Sequence, residues 1–158
     1  MSTSAAIALQ QPDGSVRAIY LSGDGQPTGA GKTLLQAWNS RERIQQLLEL
    51  GDLLRLGTDM GEEHDREDPS RAREHNWCTA HMRDHGSRYE RPNDRQAQTF
   101  PNLVMFLLQS AADRTPWSYV YGPGGWMVFP ELHYPGIALR EETLLELDAF
   151  NGLLVQRS

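Results

Sequence analysis

The chain has 158 residues, of which 39% are hydrophobic and 23% charged, with a formal net charge of −6. That size fits one domain with a core of its own, and the composition excludes a collagen-like repeat, a disulfide scaffold and a membrane span. Fourteen of the 15 basic residues are arginine and only Lys32 is lysine, a balance set either by codon usage or by a need for guanidinium forks that grip carboxylates and phosphates. A pI near 5.3 lacks the basic footprint of a duplex-binding protein but still allows a small anionic ligand held by a few arginines. Cys78 stands alone, which suits a reducing compartment, and the first ten residues lack the basic and apolar regions of a signal peptide. The longest apolar run, Leu103 to Leu108, is far short of the roughly 20 residues that cross a bilayer.

Ser4 to Gln10 and Val16 to Leu21 read as strands joined by turn chemistry at Pro12-Asp13-Gly14. Both are nearly apolar on both faces, as in the middle of a covered sheet. Gly23 to Pro27 is a loop, and two short helices follow. The first runs from about Gly29 to Trp38. The second is capped by Ser40, buries Ile44, Leu47 and Leu48, and stops at Gly51. Residues 61–95 carry nine acids and seven arginines with few hydrophobes, so this stretch reads as a long, mobile, solvated insertion in which only Trp77 to Arg83 is strand-capable. A helix is expected from about Asn102 to Ala112, with Pro101 in its first turn. Trp117 to Tyr121 alternates like a strand, and Gly122 to Gly125 turns it back into Trp126 to Phe129. Leu139 to Leu147 has helical periodicity. The expected architecture is α+β, with two hairpins in one antiparallel sheet, helices on one side and a long charged loop.

Gly29-Ala-Gly31-Lys32-Thr33 has the end of a phosphate-binding loop without its beginning. The first glycine of that motif would stand where Gln26 is, and Pro27 lacks an amide donor. What remains is a glycine-rich loop at a helix start, a place that favours anions. His64, His75, Cys78, His81 and His85 include the ligand types zinc accepts. Their spacing matches no standard site, and strand alternation would turn Cys78 away from its neighbours, so no metal ligand is assigned. Cys78 has His75 and His81 too close in sequence to orient a nucleophile. Tyr119, Tyr121, Trp117 and Trp126 crowd one hairpin, with Tyr20 and Trp38 near the glycine loop. They either pack helices onto the sheet or form a stacking platform for a planar base, with Arg83 or Arg88 reaching phosphates.

Met1-Ser2-Thr3, Ile19-Tyr20, Asp24-Gly25, Pro27, Gly31 and Leu34-Leu35 resemble a family of small, largely uncharacterised phage and prophage proteins. In that family a strand ending in Tyr-Cys-His leads into an Asp-Gly-Tyr-Pro loop and a glycine-bearing helix start. The segment from Leu47 to Gly57 resembles the family's Leu-Gly-Asp-Ile-Ser-x-Leu stretch. His81-Met82-Arg83-Asp84-His85-Gly86 resembles a His-Arg-Asp-Arg-Gly element, and Tyr119-Val120-Tyr121 with Trp126 resembles its closing hairpin. Leu21-Ser22 stands in place of Cys-His and Gln26 in place of the loop tyrosine, so no role carries over to those positions. The resemblance implies a phage origin and the host bacterial cytoplasm as its address, and it makes Lys32 incidental to an Asp-Gly-x-Pro loop. It implies no reaction.

Three functions follow as expectations. The first is a phage counter-defence protein that sequesters a small nucleotide-type host signal without turnover, using Tyr20, Asp24, Gly25, Arg83, Asp84, Tyr121 and Trp126, with no cofactor. The second is an inhibitor that engages a host protein through its acidic surface. The third is a small hydrolase or transferase. Self-association into a homo-oligomer through a sheet edge is a further expectation.

Overall fold

The computed structural model describes residues 3–84 and 95–149. It is a mixed α+β protein built on an eight-stranded, mostly antiparallel open sheet. β1 (Ala5–Gln10) and β2 (Val16–Leu21) pair antiparallel from Ala5↔Leu21 to Gln10↔Val16. Gly14, at φ +89°, closes the turn between them, and Asp13 accepts hydrogen bonds from the Ser15 amide and hydroxyl. A wide helical turn (Pro27–Gly31) leads into α1 (Lys32–Ala37), followed by α2 (Arg41–Glu49) and β3 (Leu53–Arg55). Ser40 caps α2 by accepting from the Arg43 amide at 3.2 Å, and Gly51 leaves the helix at φ +76°.

The charged middle contributes α3 (Ser70–His75) and β4 (Thr79–Ala80). β5 (Gln98–Phe100), α4 (Leu103–Ala112), β6 (Trp117–Gly122), β7 (Gly125–Pro130) and β8 (Ile137–Ala138) complete the sheet and its helices. A 3-10 turn (Glu141–Thr143) runs into α5, residues 144–149. The strand order is β4-β3-β2-β1-β6-β7-β8, with β5 on the other half of β2.

Two parallel pairings, β1 with β6 and β2 with β3, depart from the all-antiparallel expectation. Each joins strands linked through helices, and such crossovers are long enough to return the chain in the same direction. The helices also cover both faces, which corrects the one-sided arrangement. Alternation along β1 explains why. Ile7 and Leu9 face α1, α2 and α5, together with Ile19, Leu34, Trp38, Ile44, Leu47 and Leu48. Ala6 and Ala8 face α4, where Phe106 settles on a shelf made with Ala18, Val16 and Val120. One face of the sheet takes large aliphatics and the other takes alanines, so α4 approaches closely through a single aromatic ring.

Three expected boundaries move. Asn102, not Pro101, starts α4: its side chain caps the helix by accepting from the Met105 amide at 2.9 Å, leaving Pro101 ahead of the cap. Leu139 donates its amide to the Trp126 carbonyl at 3.0 Å, so the segment expected to be helical first extends the β8 edge. The described part of the charged stretch, residues 61–84, folds against the β3–β4 edge instead of standing off as a loop. Cys78 and Ala80 enter the core and Asp84 is fully buried.

Candidate functional site

Arg83 and Asp84 sit together at the centre of a polar cluster. The Asp84 carboxylate accepts from the Ala80 amide at 2.8 Å, the His64 amide at 3.0 Å and the Arg83 guanidinium at 2.9–3.1 Å. The same guanidinium donates to the carbonyls of Met60 at 2.8 Å and Cys78 at 2.9 Å. Arg83 is therefore consumed as a strap between two segments and has little left to offer a phosphate. His64 Nδ1 lies 2.8 Å from the Glu62 carbonyl, which can only accept, so Nδ1 carries the proton and Nε2 accepts from the Thr79 hydroxyl at 2.9 Å. With Asp84 3.4 Å from Nδ1, hydroxyl, imidazole and carboxylate stand in the order of a hydrolase triad. Thr79 is 5% exposed and the His64 side chain 4%, so burial keeps a substrate away from all three.

Cys78 is equally inaccessible. Its sulfur lies 3.3 Å from the donating Gly57 amide, and burial pushes the thiol up to about 11. The thiol stays protonated at neutral pH. Alkylation with iodoacetamide at pH 8 is expected to leave the native protein unmodified and to label one thiol in denaturant. His75 stacks on Trp77 at 5.1 Å, whereas His81 is half-buried and held below its ordinary range first by burial and then by Arg95. Among the described residues no three His, Cys, Asp or Glu side chains gather as metal ligands. His85 and Arg88 lie outside the described residues.

The glycine loop is closed by the chain itself. Gly25 is buried: its amide donates to the Thr3 carbonyl, its carbonyl accepts from the Tyr119 hydroxyl at 2.7 Å, and an added Cβ would lie 2.8 Å from Ala5 and Ser4 atoms. Asp24 is exposed at φ +54°, and its carbonyl accepts from the Ala30 amide. The anion-favouring place at Thr28 is filled from α5. Asp148 accepts from the Thr28 hydroxyl at 2.6 Å and its amide at 3.3 Å. A shallow hollow of about 180 Å³ remains beside Asp24, Thr33, Arg55 and Asn76, and the Arg55 guanidinium is already bonded to the Trp77 carbonyl and the Asn76 side chain.

Tyr121 and Trp126 meet edge to face at 5.3 Å. The Trp126 indole donates to the Trp38 carbonyl at 2.7 Å and the Tyr121 hydroxyl to the Asn39 carbonyl at 3.1 Å, so both rings fasten the α1–α2 junction to the sheet. Tyr20 lies on the opposite face, where its hydroxyl donates to Asp113 at 3.3 Å; burial and then Asp113 push it up to about 12. Tyr121 with Trp126, Arg83 with Asp84, and Asp24 with Gly25 are brought together as pairs. No printed contact joins one pair to another, and Tyr20 stands apart from the aromatic hairpin pair across the sheet.

A different place has the form of a binding site. Between α4 and the end of β7 lies a cleft of about 340 Å³. Leu107, Leu108 and Ala111 form one wall, and Phe129, Leu132 and Tyr134 the other, with Ser110, Thr115 and Ser118 as its most buried polar residues. The Phe129 and Tyr134 rings stack at 6.1 Å with 19° between planes. Leu132 holds a left-handed φ of +60° with its side chain 86% exposed at the mouth. An apolar residue in that conformation is a local cost of the kind that collects at functional sites. No family model, curated protein or solved structure matches the chain. Its site is accordingly read from its own geometry. The missed signal was the run from Leu103 to Leu108: a helix apolar on every side is normally buried, yet Val104, Met105 and Leu108 are 58%, 48% and 59% exposed.

Proposed function

We propose that the protein works by binding, without turnover, and that the α4–β7 cleft is where its small ligand sits. The cleft carries this reading: its volume lies in the range of small-molecule sites, its walls are apolar, and a few polar groups lie at its base. The resemblance to small phage proteins supplies the proposed setting, capture of a host molecule in the bacterial cytoplasm as a counter-defence. The nucleotide-type ligand has weaker support, because Arg83 and the loop amides are taken up internally and no arginine or lysine lines the cleft. A second reading, engagement of a host protein, is favoured by the exposed row Val104, Met105 and Leu108, which is larger and more apolar than scattered surface residues require.

Native mass spectrometry of the protein isolated from bacterial lysate distinguishes the readings. The expected result is a small non-covalent adduct that disappears in Ala111→Trp, whose indole fills the cleft from the rim. A nucleotide adduct retained by Ala111→Trp would move the site to another part of the molecule. A stoichiometric protein adduct in its place would favour the second reading. Among the described residues no helix is long and apolar enough to cross a membrane.

A further inference from the structure

The cleft's chemistry constrains what it can hold. Ser110 is 3% exposed, lines the cleft, and has an Oγ with no hydrogen-bond partner. A buried hydroxyl left unpaired is unfavourable, and natural proteins leave few of them. Mid-helix serines ordinarily bond back to the carbonyl one turn earlier, yet this one does not. Around it the walls are aliphatic on the α4 side and aromatic at Phe129 and Tyr134. The charged side chain among the lining residues is Glu131, with His133 as the one titratable base, and the chain as a whole carries −6. An anion entering this cleft would lose hydration and meet no fixed positive charge.

Resting on the binding function proposed above, we infer that the cleft takes an uncharged, mostly apolar ring compound bearing one hydroxyl or carbonyl group that pairs with Ser110 Oγ. The ring lies between the aliphatic face of α4 and the Phe129–Tyr134 stack. The single polar group completes the Ser110 hydroxyl, so selectivity among apolar compounds comes from one hydrogen bond at the base of the cleft.

Three probes of matched shape test this: naphthalene, 2-naphthol and naphthalene-2-sulfonate, titrated by fluorescence into the full chain, into Ser110→Ala and into Ala111→Trp. The inference predicts that 2-naphthol binds roughly 3- to 10-fold more tightly than naphthalene, the worth of one net hydrogen bond. It predicts that Ser110→Ala removes this difference while naphthalene binding stays unchanged. The sulfonate is expected to bind at least about tenfold more weakly than 2-naphthol, because its charge is desolvated without a partner. Ala111→Trp should abolish binding of all three. Ser110→Ala deletes an unpaired hydroxyl, so its thermal midpoint should not fall, which separates lost recognition from lost folding. Equal affinity for naphthalene and 2-naphthol, a difference that survives Ser110→Ala, or preference for the sulfonate would overturn the hydrogen-bond inference and leave the cleft as the binding place. Absence of saturable binding by all three probes would overturn the binding function itself.

Discussion

Replacing Asp84 with alanine is expected to lower the unfolding free energy by roughly 3–5 kcal/mol, the loss typical of breaking a buried ion pair from one side. The carboxylate is fully buried and serves two backbone amides as well as the Arg83 guanidinium. Its removal leaves those donors in a desolvated place with nothing to bond, and that penalty exceeds any strength the pair itself supplies. Asp84→Asn keeps the shape and one acceptor oxygen, so its loss should be smaller. The segments tied together are residues 60–64 and 78–84, which gives Asp84 the work that a larger core would otherwise do at this edge of the sheet. Urea unfolding reads the result as a lower midpoint at unchanged slope. A loss below about 1 kcal/mol, the size of an exposed ion pair, would mean that the cluster is not a structural strap and would reopen the buried Thr79–His64–Asp84 arrangement as something other than a brace.

The second large effect is at Phe106. Phe106→Ala should cost roughly 3–5 kcal/mol as a large-to-small core change, and it should also dissolve the cleft. α4 rests on the alanine shelf of Ala6, Ala8 and Ala18 mainly through this ring, which also meets Phe100 edge to face at 5.5 Å. Only Phe106 and Ser110 are buried along the helix, so no other large side chain replaces the lost anchor. Leu108→Ala, one turn away and exposed, is expected to stay within about 0.5 kcal/mol of the parent. Hydrogen exchange separates a local effect from a global one: α4 amides should lose protection in Phe106→Ala well before β1 and β6. Equal losses for the two substitutions would show that α4 is held by its outer face, as it would be in a complex.

Much of the frame was legible because it follows from local rules. The hairpin strands, the Ser40 cap and the glycine turns are set by residues within a few positions of one another. The parallel β1–β6 pairing was not legible, since register between strands separated by most of the chain depends on the route of the intervening helices. Small residues misled in a specific way. Ala6, Ala8 and Ala18 looked merely apolar, and their true meaning, a low shelf for a helix on the second face, requires knowing which residue lies opposite. β3, β4, β5 and β8 span two or three residues each, too short for a period to show. The charged middle looked unable to fold because its acids and arginines were counted rather than paired; one carboxylate at Asp84 organises the described part. The expected site residues were chosen for chemistry that is common in ligand sites, and the same chemistry here fastens segments together. The cleft was written in the opposite signal, an apolar helix with too many outward-facing large residues.

The central claim, that this protein acts through the α4–β7 cleft, is tested most directly by mapping amide chemical shifts on the isotopically labelled chain during titration with 2-naphthol. The account predicts saturable shifts concentrated at Leu107, Ser110, Ala111, Ser118 and Phe129, and none in Ala111→Trp. Shifts confined to the glycine loop around Asp24 and Thr28, or to the Arg83–Asp84 cluster, would contradict it.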